Sequence, residues 1–149
     1  MNQVKDYMYK DITSVNETTT LRRAIRIMRL HRIDAVAVVD KTGKYAGCIS
    51  AQEVINASVP DYIKSIYNTS FMSRIDQITA HLTNMLDDPI THLINKKCPS
   101  LSPTDSMAYA ADLLSRNKKT ILPVVEEGIF LGWVSKIDIL SVVSDKQKT

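Results

Sequence analysis

The 149-residue chain is poor in the residues that usually announce chemistry. Its two cysteines, Cys48 and Cys98, stand in no CxxC or Cys/His spacing, and His31, His81 and His92 share no ligand pattern, so no metal site is expected. There is no P-loop glycine pattern, no activated nucleophile and no acid–base pair at a recognisable spacing, which argues against an enzyme and against a resident cofactor. No apolar run approaches the roughly 20 residues of a bilayer span, and the opening MNQVKDYMYKDI lacks a signal-peptide core. The expected address is therefore the cytoplasm, with no membrane partner. Charge of one sign is scarce too: 19 basic residues against 16 acidic give a net +3, too mild to mark a nucleic-acid binder. Disorder is equally unexpected, because a 44% apolar fraction suits a globular chain of one domain or two small lobes sharing a core.

Glycine is scarce too, and its placement is informative. The four glycines form two G-x-x-x-G pairs, Gly43 with Gly47 and Gly128 with Gly132. Such a pair marks a turn needing positive φ or a close backbone approach, and finding it twice implies one turn built twice. The rest of the chain repeats with it. Val4, Met8 and Val15 fall on Ile90, Ile94 and Leu101, and Leu21, Ala24 and Met28 on Met107, Ala110 and Leu114, at an offset of 86 (21 to 107). After a one-residue deletion, Gly43, Gly47, Ser50 and Glu53 fall on Gly128, Gly132, Ser135 and Asp138 at an offset of 85 (43 to 128).

Each copy reads as β-α-β-β-α, a mixed α/β (α+β) pattern. A short extended piece, Ile12 to Val15 or Cys98 to Leu101, leads to an amphipathic helix. Its apolar positions are Leu21, Ala24, Ile25 and Met28 behind Thr18 and Thr19, or Met107, Ala110, Ala111 and Leu114 behind Pro103, Thr104 and Asp105. Two β-branched runs follow, 35–39 and 45–49 or 121–125 and 130–134, and a last helix opens at Ser50 or Ser135. Near-continuous apolar strands need cover on both faces, which the other copy can supply. The copies thus occupy 1–57 and 90–149. The insert, 58–89, carries Ile75, Ile78, Leu82, Met85 and Leu86 at helical spacing before the stop Asp88-Pro89, and is expected to cover one edge of the core, to make a dimer contact or to lid a site.

The strongest local motif is G-W-V-S-K-I-D, Gly132 to Asp138, with a weaker twin G-C-I-S-A-Q-E, Gly47 to Glu53. A serine at a helix N-terminus can hold a phosphate, and an acid one turn on can accept hydrogen bonds from ribose hydroxyls. The same Ser-x-x-Asp/Glu spacing also makes a capping box that satisfies the helix alone. Arg32, Lys118, Lys119 and Lys136 flank these turns and would offset phosphate charge, or else be solvated surface. Arg22, Arg23, Arg26 and Arg29 share one helical face, a nucleic-acid stripe or a solvated one. Trp133 is either core or a stacking platform.

The ordered set, a V-x-x-x-M opening, a T/S-V/L pair, a helix with an early Ala, L-P-V-V at Leu122 to Val125, and G-W-V-S-x-x-D, resembles the cystathionine β-synthase (CBS) domain. Its double occurrence resembles the tandem CBS pair called a Bateman module. The resemblance implies a three-stranded sheet with two helices per motif, motifs related by a pseudo-twofold, and pairs that form homodimers. It also implies a regulatory, energy-sensing role through AMP, ADP, ATP, S-adenosylmethionine or cyclic di-AMP held in the clefts, signalling to an unidentified effector protein; a ligand-independent dimeric interaction module is the alternative. By position, Ser135 resembles the phosphate- or ribose-contacting hydroxyl and Asp138 the ribose carboxylate, with Lys136 beside them. Cys98, Pro99 and Ser100, and Ile121, Leu122 and Pro123, resemble the segments that enclose adenine. The first copy departs from the family pattern at Glu53 and Ala37, so a weaker second site is expected from Ser50, Glu53, Thr13, Ala35 and Val36.

Overall fold

The computed structural model describes residues 2–59 and 71–146. In chain order the elements are α1 (Val4–Tyr7), β1 (Ser14–Val15), α2 (Leu21–His31), β2 (Ala35–Val39), β3 (Tyr45–Ser50), α3 (Ala51–Ser58), α4 (Phe71–Met85), a 3-10 turn (Ile90–Leu93), α5 (Met107–Arg116), β4 (Ile121–Glu126), β5 (Ile129–Ser135) and α6 (Lys136–Lys146). The expected order therefore appears in full in the first copy, and in the second without its leading strand. The helices begin slightly later than expected. Thr20, not Thr18 or Thr19, caps α2 by accepting the Arg23 amide at 3.3 Å, because Thr18 and Thr19 are engaged by the Asn16 side chain in the preceding turn. Likewise Ser106 caps α5, accepting the Tyr109 amide at 3.0 Å, while Asp105 closes a turn on the Ser102 amide.

The first sheet has the order β1-β2-β3, with β1 parallel and β3 antiparallel to β2. The second has two full strands, β4 and β5. The extended piece expected at Cys98 to Leu101 contributes only a bridge from Leu101 to Val124, where Val15 to Val38 is its counterpart in the first copy. The cause is local. Pro123 stands where Ala37 does and has no N–H, so the ladder loses a rung.

The copies also exchange their leading segments. Val4, at the start of the first copy, is fully buried among Leu101, Met107, Leu122 and Val134 of the second. Ile90, at the start of the second, is fully buried among Leu21, Val36 and Ile49 of the first. Main-chain bonds fix both crossings in the same way: Val4 N–H donates to Asp105 O and Met107 N–H to Asn2 O, each at 2.8 Å, while Ile90 N–H donates to Thr19 O at 2.9 Å and Leu21 N–H to Asp88 O at 3.0 Å. Further on, Tyr9 and Trp133 exchange two main-chain bonds, at 2.7 and 2.8 Å, and Asn95 and Cys48 repeat the exchange at 2.8 and 3.2 Å. As sequence the copies are consecutive; as packing units they are interlocked.

Between the sheets, pseudo-twofold mates meet. Thr120 Oγ1 donates to Asp34 Oδ2 at 2.8 Å, and Tyr45 stacks on Phe130 with ring centres 6.4 Å apart. Trp133, 2% exposed, packs edge-on to Phe130 in a central cluster with Ala35, Ala37, Cys48 and Cys98, which assigns it to the core. Of the insert, α4 lays Leu82 and Met85 against the first core, the edge-covering role; residues 60–70 lie outside the described residues.

The glycine spacing now has its physical reason. A Cβ on Gly47 would sit 2.7 Å from Asn95 O, and one on Gly132 would overlap Tyr9 O, with both residues at φ of 144° and 149°. Gly132→Ala is therefore expected to destabilise the fold by about 2 kcal/mol or more, lowering the thermal midpoint by roughly 5 °C, and Gly47→Ala somewhat less. Midpoints equal to that of the native chain in calorimetry would contradict the crossing geometry.

Candidate functional site

Of the clefts among the described residues, two are built crosswise from the helix start of one copy and the strand entry of the other. The larger, about 840 Å³, sets Ser135, Lys136 and Asp138 of the second copy against Arg29, Arg32, Ile33 and Asp34 of the first. The smaller, about 360 Å³, sets Ser50 and Glu53 of the first copy against Cys98, Lys118 and Lys119 of the second. Sequence position alone had grouped Ser135 and Asp138 with Cys98 to Ser100, and Ser50 and Glu53 with Thr13, Ala35 and Val36. The structure regroups them, because the pseudo-twofold turns the last helix of each copy toward the β-strand entry of the other. Ile121 and Trp133 border both clefts, and Ala35 and Cys98 border the smaller. Leu122, Pro123 and Val36 are buried in the core rather than lining a cleft. Thr13, Pro99 and Ser100 border neither cleft.

The two helix starts differ in a way that matters chemically. At α3 the capping box is closed: Ser50 N–H donates to Glu53 Oε2 at 3.1 Å, and Glu53 N–H donates to Ser50 Oγ at 3.4 Å. At α6 the Ser135 N–H and its hydroxyl both donate to the same oxygen, Asp138 Oδ2, at 2.7 and 3.0 Å. The hydroxyl thus caps no amide, and Asp138 Oδ1 has no partner among the described residues. Lys136 N–H donates to Thr120 O at 3.2 Å, tying the start of α6 to the axis.

Electrostatics separate the clefts further. Glu53 Oε1 is held by Lys119 Nζ at 3.4 Å and by Asn95 Nδ2 at 3.5 Å, with the Lys119 and Glu53 side chains each only 24% exposed. The smaller cleft therefore carries its own counter-ion. In the larger cleft Arg29, Arg32 and Lys136 face two carboxylates, one of which, Asp34, is already bonded to Thr120. Arg32 adopts a left-handed φ of 52° as the C-cap of α2, and Lys118 repeats that φ after α5. A non-glycine residue there costs about 1 kcal/mol or more. The repeat thus places a basic residue in the same strained position beside each cleft.

Arg29, Ile33, Asp34 and Asn95 are site residues the sequence reading missed. The offset of 86 would have shown Arg32 over Lys118 and Asp34 over Thr120, but only the crossing brings them to the opposite copy's helix. The basic face of α2 does not act as one stripe, since Arg22 pairs with Asp87 at 3.1 Å and Arg29 turns to the cleft.

A family model for the CBS domain matches the chain over residues 4–60 and again over 90–145. An uncharacterized protein of Methanocaldococcus jannaschii is 27% identical over 154 residues, covering 94% of this chain and 90% of the relative. The A-adding tRNA nucleotidyltransferase of Aquifex aeolicus is 23% identical across 96% of this chain, a match that spans 14% of that enzyme. Among solved structures, CBSX2 in complex with AMP superposes with a TM-score of 0.73 at 15% identity, covering 99% of both chains. The CBS domain pair of protein MJ0100, in complex with 5′-methylthioadenosine and S-adenosyl-L-methionine, superposes with a TM-score of 0.70 at 19% identity, covering 97% of both. No described helix is long and apolar enough to cross a membrane.

The difference between the two caps can be measured. Ser50→Ala removes an acceptor from the Glu53 amide and is expected to cost about 1 kcal/mol in urea unfolding. Ser135→Ala removes no backbone acceptor and is expected to cost less than half as much. Equal losses would mean that the two boxes close alike.

Proposed function

The chain belongs to the CBS-domain family, with two motifs forming one pair, and from that premise we propose that it is a non-enzymatic regulatory module that binds an adenosyl ligand in its larger cleft. One observation carries the reading. The cap of α6 leaves Asp138 Oδ1 without a partner among the described residues, at the wall of a cleft of about 840 Å³, a size suited to a nucleotide. In this reading Asp138 accepts the ribose hydroxyls, and Ser135 turns its hydroxyl toward phosphate at the α6 N-terminus. Ile33 and Ile121 flank the base. Arg29, Arg32 and Lys136 offset an anionic tail, which favours AMP, ADP, ATP or cyclic di-AMP over a ligand with no phosphate. Solved relatives carry AMP, or 5′-methylthioadenosine and S-adenosylmethionine, which supports the adenosyl class. The smaller cleft, with Glu53 bound to Lys119, is the weaker site.

Because the ligand bridges both copies, its binding favours one arrangement of them, and a separate effector protein in the cytoplasm reads that arrangement as a report on adenine-nucleotide levels. A homodimer fits the same reading. A second reading, a ligand-independent dimeric module, draws on one observation: Ile137, Leu140 and Val143 are all more than half exposed along α6.

Thermal unfolding against AMP, ADP, ATP, S-adenosylmethionine, 5′-methylthioadenosine, cyclic di-AMP and GTP tests the proposal. A ligand at a hundred times its dissociation constant should add about 2.7 kcal/mol, or roughly 5 to 10 °C, and Asp138→Ala should abolish that shift while the protein stays folded. If none of the adenosyl compounds moves the midpoint, the second reading replaces the first. Arg32→Gly is expected to relieve the left-handed strain and raise stability by about 0.5 to 1 kcal/mol, while weakening phosphate-bearing ligands about tenfold and leaving 5′-methylthioadenosine unaffected. Unchanged affinity for every ligand would remove Arg32 from the site.

A further inference from the structure

The two cysteines that form no motif in the sequence meet in the fold. Cys48 lies on β3 of the first copy and Cys98 at the entry to the second, and both belong to the buried cluster on the pseudo-twofold axis. The Cys48–Asn95 main-chain bonds anchor the second copy's leading segment to β3, and the turn at Lys96 and Lys97 brings the chain back so that Cys98 joins Cys48 in that buried cluster. Tyr45 packs against the same cluster, and its hydroxyl is buried without a hydrogen-bond partner among the described residues. Both cysteines, though buried, border the smaller cleft, alongside Glu53 and Lys119.

We propose that Cys48 and Cys98 form a reversible dithiol/disulfide couple that joins the two CBS motifs, oxidised by a small peroxide entering through the smaller cleft. Cys98 is the thiol that reacts first. The neighbouring Cys48 thiol holds its pKa below the ordinary value against the opposing effect of burial, and the Lys119 charge acts in the same direction. Cys48, by contrast, is pushed up by the Cys98 thiol and by burial, so it keeps its proton. The Cys98 thiolate attacks a peroxide oxygen, the O–O bond breaks, and the departing hydroxide takes up a proton to leave as water. The sulfenic acid on Cys98 is then attacked by the Cys48 sulfur. The S–S bond forms, the S–O bond breaks, and the hydroxyl leaves as water with the Cys48 proton. Two thiols and one hydrogen peroxide thus give one disulfide and two waters, a two-electron oxidation. The bond closes a loop of about fifty residues and ties the start of the second copy to the last strand of the first.

The test is to treat the native protein with hydrogen peroxide, quench, denature and alkylate, then read intact mass and peptide map. The expected product is a monomer lighter by two hydrogens with a Cys48–Cys98 cross-linked peptide, reversed by dithiothreitol, and a thermal midpoint raised by roughly 5 to 10 °C. In Cys48→Ala, which leaves no resolving thiol, a dimedone adduct is expected on Cys98. The inference is overturned if both cysteines remain alkylatable after treatment, or if they gain oxygens without cross-linking. It is also overturned if the only disulfide joins two chains. The wild-type mass readout needs no variant to fold, and none of these outcomes depends on whether an adenosyl ligand binds.

Discussion

The contact on which the structure depends is the backbone exchange of Tyr9 with Trp133 and its twin, Asn95 with Cys48. Each draws the leading segment of one copy across the last strand of the other, and each is possible only because a glycine stands where a Cβ would meet a carbonyl. From this crossing follow the mixed cores, in which Val4 belongs to the second copy and Ile90 to the first. Neither copy has a complete core without its mate. The crosswise clefts belong to the same arrangement, because interlocked copies present the helix start of one to the strand entry of the other.

Near-symmetry makes the differences between the clefts easy to trace. At one pseudo-equivalent position the first copy has Ile33 and the second Lys119; at another the first has Glu53 and the second Asp138. The crossing pairs them as Lys119 with Glu53 and Ile33 with Asp138. In the smaller cleft the longer carboxylate side chain reaches a cation supplied by the protein itself. In the larger cleft the shorter carboxylate shares the wall with Ile33 and stays on its own cap, and its second oxygen has no partner among the described residues. Two differences between the copies thus leave the carboxylate of one cleft paired with a lysine and that of the other on its own cap alone.

Much of the fold was legible in the chain. The rare glycines, the offset of 86 and the helical spacing of Leu21, Ala24 and Met28 fixed the elements and their order, because those signals are local. The helix caps were displaced by one or two residues, since Asn16 and Asp105 compete for the same turns through side-chain bonds that periodicity does not register. The loss of a strand rung at Pro123 was also readable in principle, from a missing N–H. What was not readable was the crossing. Residues such as Arg29, Asp34 and Asn95 acquire their role only from a copy more than eighty positions away or from the opposite end of an exchanged segment. The repeat aligned equivalent residues without saying which of them face each other.

The pseudo-twofold axis is the natural place for a signal to pass between the copies, and its contents differ in hardness. Thr120 and Asp34 form a single hydrogen bond at its polar end, next to both clefts. Tyr45, Phe130, Trp133 and the two cysteines fill its apolar end as close-packed rings and thiols. A ligand beside Asp138 would bear on the polar end, where one bond and the Lys136 amide set the position of α6. Rotation of one copy against the other would have to repack the aromatic end, and packed cores switch between discrete arrangements rather than deform continuously. Under the proposed function, the axis would offer a two-state response both of its parts: a soft contact within reach of the cleft, joined to a stiff contact that resists intermediate positions.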